Sequence, residues 1–219
     1  MNSSEGVTVR VARTADDWQA VRDLCCRTGD AGSPIESSRW PFFAELWVGP
    51  YQKVLPGWTY VADVGGQVVG YLTGCPNTSS FRRSCALAVT LPLLVRVGRG
   101  VYRWNSDTRR FVRRTLRLET GPEQRLRSRL PRILARDYPA HLHMNVDAQL
   151  RGRRIGRRLV DRYCEDLRAT QASGIHLFCG AAASGFYARL GFEELTRLEF
   201  RPGVWVYALG RRLTSDTQT

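Results

Sequence analysis

Four things are scarce or missing in this 219-residue chain, and each absence narrows what it can be. It has one lysine, Lys53, so the net charge of +13 is carried by arginine. Those arginines are scattered (Arg82, Arg83; Arg109 to Arg117; Arg125 to Arg136) and are not interleaved with stacking aromatics. A single-strand nucleic-acid binder needs that interleaving, so nucleic acid is not the expected partner. The six cysteines show no CxxC spacing, and there are only three histidines, His141, His143 and His176. No zinc-ligand pattern can be assembled from them, and no metal is expected. The longest apolar run, Cys85 to Val95, contains a proline and is too short to span a bilayer. The start, MNSSEGVTVR, has neither the basic nor the apolar region of a signal peptide. Internal repeats and low-complexity stretches are also lacking. The reading is a cytoplasmic protein with buried free thiols, no membrane partner, and a monomeric or homodimeric state.

What is present fits a globular chain: 43% hydrophobic and 10% aromatic residues. Residues 7–12 alternate like a strand, and Thr14 is placed to cap a helix through about Cys26. An aromatic-rich segment, Arg39 to Val48, carries Trp40, Phe42, Phe43 and Trp47, which could wall a pocket or fill a core. Trp58 to Asp63 and Gln67 to Cys75 form an expected hairpin around Gly65-Gly66. Residues 76–138 combine an apolar stretch with helices expected near 107–118 and 123–136, and are read as an insertion between strands 3 and 4. A strand (141–147), a long helix (154–172, with Gly174 ending it), a strand (175–180), a helix (183–190) and two closing strands follow. One domain is expected over 1–213, with 214–219 as a disordered tail.

The most informative stretch is LHMNVDAQLRGRRIGRRL, Leu142 to Leu159. An apolar strand runs through a polar turn into a helix whose apolar positions include Ile155, Leu159, Val160 and Tyr163. A helix N-terminus directly after a strand offers free backbone N–H groups and a favourable dipole to phosphate oxygens. Gly152 and Gly156 allow a bulky anion close to the backbone, and Arg153, Arg154, Arg157 and Arg158 add positive charge. Arg154 is expected to keep a negative φ so that its N–H can face the anion.

Together with SGFYARLGFEEL near the C-terminus, this stretch resembles the GNAT superfamily of acyl-CoA-dependent N-acetyltransferases. The family's phosphate signature, V-x-P-x-x-R-G-x-G-x-G, is matched at Val146, Arg151, Gly152 and Gly156, with Ile155 in register. Ala148 replaces its proline and Arg154 its next glycine. The A-x-x-x-Y-x-x-x-G-F run is matched by Ala183, Tyr187, Gly191 and Phe192, with Phe186 beside the tyrosine. Gly180 stands where an asparagine is common. The resemblance implies an α/β (α+β) GNAT fold, a mixed twisted sheet of about seven strands flanked by helices, with a helical insertion between strands 3 and 4.

It further implies acetyl-CoA as cosubstrate. Arg151, Gly152, Arg153, Arg154, Ile155, Gly156 and Arg157 would lie around the pyrophosphate. Strands 141–147 and 175–180 would splay so that main-chain groups near Met144 and Val146 pair with pantetheine, and Phe186 and Tyr187 would flank its arm. The implied reaction is direct transfer of acetyl to an unidentified primary amine, with Tyr187 protonating the thiolate. For the general base the candidates are His143, His141 and Asp147. The segments 58–74, 138–146 and 186–194 also look like bacterial relatives of the acetyltransferase-like C-terminal domain of O-GlcNAcase. That likeness implies an alternative, a catalytically inactive acyl-CoA-binding or interaction module.

Overall fold

The computed structural model describes residues 6–30 and 32–213; the expected tail, 214–219, lies outside them. Its elements are β1 (Val7–Val11), α1 (Ala15–Arg27), α2 (Trp40–Trp47), α3 (Gly49–Val54), β2 (Thr59–Val64) and β3 (Gln67–Cys75). Five helices follow: α4 (Thr78–Cys85), α5 (Leu91–Gly98), α6 (Ser106–Thr115), α7 (Pro122–Arg129) and α8 (Pro131–Arg136). The C-terminal part holds β4 (Ala140–Val146), α9 (Ile155–Arg168), β5 (Gly174–Gly180), α10 (Ala181–Ala188), β6 (Glu193–Arg201) and β7 (Val204–Arg212). The strands make one seven-stranded mixed sheet in the order β1-β2-β3-β4-β5-β7-β6. Every neighbouring pair is antiparallel except β4–β5. The helical insertion sits between β3 and β4, as expected.

Alternation along the strands sends side chains to two cores. Tyr60, Ala62, Leu72, Ala140 and Leu142 face one side, where α9 contributes Ile155, Leu159, Val160, Tyr163 and Leu167. Their spacing marks a single apolar stripe on that helix. Val61 and Tyr71 face the other side and pack on Trp18, Val21, Leu24 and Cys25 of α1. The start of α1 is fixed by a capping box: Thr14 accepts from the Asp17 amide, and the Asp17 carboxylate accepts from the Thr14 amide. Arg10 adds two hydrogen bonds to that carboxylate, each 2.7 Å, and holds it well below the usual carboxylate range. The hairpin turn is as expected, with positive φ at both Gly65 and Gly66.

The insertion contains more helix than expected. Residues 78–98 run helically through a π-helical stretch, Ala86–Thr90, between α4 and α5. Phe81, Val89, Leu93 and Val97 turn inward, with the half-buried Cys85 at the intervening position. Leu93 and Val97 join Phe42 and Phe111 in a separate small core. A bidentate pair, Arg39 to the buried Asp107 at 2.7 and 2.9 Å, ties α6 to the segment before α2. The single helix expected over 123–136 is two, because Pro131 has no amide to continue α7 and instead opens α8. The long helix ends at Arg168, not 172. Gln171 takes a left-handed turn, and Gly174 opens β5 instead of ending the helix. Among the described residues no helix is long and apolar enough to cross a membrane.

Tyr163 of α9 reaches through to the sheet. Its hydroxyl lies 2.7 Å from the His141 carbonyl and 2.9 Å from the Cys75 carbonyl, which face each other across β3 and β4. Tyr163→Phe removes the hydroxyl shared by these two acceptors and is expected to lower unfolding free energy by about 1–3 kcal/mol. Urea denaturation of the two proteins measures it.

Candidate active site

The parallel pair β4–β5 is joined only at Ala140–Ile175 and His141–His176, after which the strands diverge. On its other edge β4 stays paired with β3 as far as Val146. The Asp147 amide bonds the Val69 carbonyl, so odd-numbered residues of β4 turn their main-chain groups toward β3. The main-chain groups of Met144 and Val146 therefore point into the gap left by β5. The expected splay is present, and it opens a cleft of about 1240 Å³.

The turn between β4 and α9 forms one wall of this cleft. Asp147 caps a short 3-10 turn, Ala148–Leu150, by accepting the Gln149 amide at 3.0 Å. Gly152 then takes φ 83° and Arg154 takes φ 61°, which swings the chain into α9. The first satisfied amide of the helix is that of Arg158, bonded to the Arg154 carbonyl at 3.1 Å. Among the described residues, the amides from Gly152 through Arg157 have no protein acceptor. That is a longer run than a helix start alone leaves open. Arg154 corrects the sequence reading. Its φ is positive, a conformation that costs an arginine on the order of 1 kcal/mol, at the position where the family signature carries glycine. A Cβ on Gly156 would stand 2.9 Å from the Phe186 ring and 3.1 Å from the Met144 methyl, so a larger residue there would have to displace those side chains where α9 sits against β4 and α10.

Met144, Val146, Arg151, Gly152, Arg154, Ile155, Gly156, Arg157, Phe186 and Tyr187 all line the cleft. Arg153 does not; its side chain is exposed in the turn. Four arginines face the cleft, Arg189 among them, and no carboxylate does among the described residues. The wall is therefore one-signed and suited to an anion. Tyr187 is buried, with Phe186 and Phe192 edge-on to it. Burial raises its phenol well above the ordinary value, so the group stays protonated at neutral pH. Its hydroxyl has no hydrogen-bond partner among the described residues.

The candidate bases separate. His143 lines the cleft, stacked on Trp47 at 5.9 Å between ring centres. Enclosure pushes its imidazole down to about 4. The Asn145 amide nitrogen lies 3.3 Å from its Nε2 and 2.8 Å from the Tyr71 hydroxyl, which favours the tautomer with Nε2 unprotonated. His141 is not on the cleft. It is a core residue between Tyr51 at 2.7 Å, Thr78 at 2.8 Å and Cys75, and burial holds it well below its ordinary value. Asp147 does not line the cleft either. Gln149 and Arg27, the latter at 3.5 Å, engage its carboxylate on the rim. The α2 aromatics also divide: Phe43 and Trp47 line the cleft, whereas Phe42 and Trp40 pack inward.

Sequence reasoning missed Cys179 and Gly180 at the end of β5, Cys25, Thr28 and Gly29 at the end of α1, and Arg189. The divergence of β5 was the available signal for the first two. The α1 residues arrive through tertiary packing that no local pattern marks. All six cysteines are free, and among the described residues no three metal-ligating side chains gather.

Residues 130–194 match the acetyltransferase (GNAT) domain. The solved structure of SsHAT is 29% identical, with a TM-score of 0.72, over 96% of this chain and all of its own. yncA from Salmonella typhimurium, solved with its cofactor acetyl-CoA, is 15% identical with a TM-score of 0.55, over 98% of each chain. A ribosomal-protein-alanine N-acetyltransferase from Brucella melitensis is 17% identical with a TM-score of 0.54, over 94% of this chain and 99% of its own. The fold is therefore the GNAT fold, and the stretch from α8 to the start of β6 carries the match to that domain.

Three histidines, one buried and two half-buried, give the protein an acid limit. His143 and His176 are pushed to about 4, and His141 is also depressed, whereas each titrates near 6.5 once unfolded. Between those values the unfolded chain binds more protons than the folded one, so stability rises with pH through that window. Tm should fall steadily from about pH 6.5 to about pH 4 and be insensitive to these groups above it. Calorimetry of wild type against His176→Asn checks the assignment, the variant showing a shallower fall.

Proposed function

We propose that this chain transfers acetyl from acetyl-CoA directly to a primary amine, without an acyl-enzyme. The carrying observation is the run of amides from Gly152 to Arg157 that find no acceptor among the described residues, in a turn that borders a cleft beside two diverging strands. Those amides, together with Arg151, Arg154 and Arg157, suit a pyrophosphate: they supply several donors and positive charge, with no carboxylate opposing. Main-chain groups of Met144 and Val146 offer the pantetheine amides a strand partner, and Phe186 packs beside it. That yncA was solved with acetyl-CoA on this fold supports the same cosubstrate here.

At the reacting end, Tyr187 stays protonated and donates to the departing sulfur. His143 is the base we favour over Asp147, because it lines the cleft and holds an unprotonated nitrogen at neutral pH. Phe43 and Trp47 wall the side from which the amine arrives. A second reading, an inactive acyl-CoA-binding module like the O-GlcNAcase domain, has one observation behind it: Gly180 brings no side chain to the cleft where the family often carries asparagine.

A thiol-release assay over a panel of amines decides between them. The enzyme reading expects turnover, a loss of kcat of about 100-fold in Tyr187→Phe, and a comparable loss in His143→Ala, with acetyl-CoA affinity retained. Acetyl-CoA binding with no stimulated CoA release, and no effect of Tyr187→Phe, would establish the module instead. Loss of binding altogether would end both.

A further inference from the structure

Helical residues 78–98 have two faces that repeat at every fourth residue, and only one is covered. The inward face carries Phe81, Val89, Leu93 and Val97. The outward face reads Arg83, Leu87, Leu91, Val95, Arg99: an apolar stripe closed at each end by an arginine. Leu87 is 76% exposed, Leu91 54% and Val95 43%. The loop that follows leaves Trp104 65% exposed. Apolar surface gathered along one helical face in this way marks an interaction site more often than isolated exposed residues do.

Charge identifies what could cover it. Between Asp63 and Asp107 the sequence contains no acidic residue but five arginines, Arg82, Arg83, Arg96, Arg99 and Arg103. Arg96 lies 3.8 Å from Glu45 and over the Tyr102 ring. The other four form no ion pair among the described residues. A second copy of this chain on the stripe would bring arginine against arginine, which opposes self-association. An anionic lipid surface meets both features. Branched aliphatic side chains enter the boundary between headgroups and acyl chains, a tryptophan settles at that depth, and guanidinium groups meet the lipid phosphates and carboxylates.

We infer that the outward face of residues 78–98 docks this protein on anionic membrane surfaces, lying in the interface without crossing it. This revises the sequence expectation of no membrane partner, which weighed spanning length alone. The inference is independent of the acetyl-transfer reading, since none of the stripe residues lines the cleft.

Vesicle co-sedimentation tests it, using the full chain with phosphatidylcholine vesicles and with vesicles of phosphatidylcholine and phosphatidylserine in a three-to-one mixture. Binding is expected only to the mixed vesicles, weakening as salt rises. The triple variant Leu87→Ser, Leu91→Ser, Val95→Ser should reduce it by about tenfold or more. Circular dichroism confirms folding, and Arg83→Gln with Arg99→Gln serves as a second variant that keeps the apolar stripe and weakens binding. Failure of the wild-type protein to sediment with the mixed vesicles would overturn the proposal. So would equal binding by the triple variant, or a dimer by light scattering that the triple variant dissociates while vesicle binding is absent.

Discussion

The site depends on a backbone constraint: six consecutive amides, Gly152 to Arg157, find no acceptor among the described residues at the point where β4 hands over to α9. A buried amide without a partner is costly, so the arrangement is stable only if the groups face water or an anion. Two devices keep them open. Left-handed conformations at Gly152 and Arg154 turn successive amides outward instead of letting the chain close an ordinary helical turn. Gly156 lets the first turn of α9 sit against Met144 and Phe186, so the amides stand at the cleft wall and not behind a side chain.

The surrounding fold fixes that turn in space. The stripe from Ile155 to Leu167 presses α9 on the sheet, and the Tyr163 hydroxyl anchors it to facing carbonyls of β3 and β4. The same strand that is held firmly at His141 is released from β5 immediately afterwards. Pairing on one edge and divergence on the other therefore convert a continuous sheet into a cleft with an exposed strand edge. His143 and Tyr187 are carried to that cleft by β4 and α10, from opposite sides of the gap.

Much of this was legible in the sequence, because the strongest signals are local. The alternation of 7–12, the glycine pair at 65–66, the Thr14 cap and the apolar stripe of α9 each specify an element from its own residues. The cleft residues of the turn after β4 and of α10 were legible through the signatures that the chain resembles. Conformation at Arg154 was not, since an arginine alone gives no sign that tertiary packing will hold it left-handed. His141 and His143 share a strand face and differ only in what covers them: Tyr51 and Phe81 enclose one, while Trp47 leaves the other on the cleft. Asp147 ends the right strand but is drawn to the rim by Gln149 and Arg27, a long-range contact without a local mark. In the insertion, Phe81, Val89, Leu93 and Val97 fall at multiples of four residues, but Pro92 interrupts the stretch and obscures it as a helix signal.

The central claim is that the amides after β4 hold a pyrophosphate, and an amide-resolved NMR titration with CoA addresses it most directly. The account predicts that the ¹⁵N–¹H resonances of Gly152 through Arg157 shift downfield together, more than any other run in the chain, as donors engage phosphate oxygens. If CoA binds while those resonances stay in place and others move, the pyrophosphate lies elsewhere and the account is wrong.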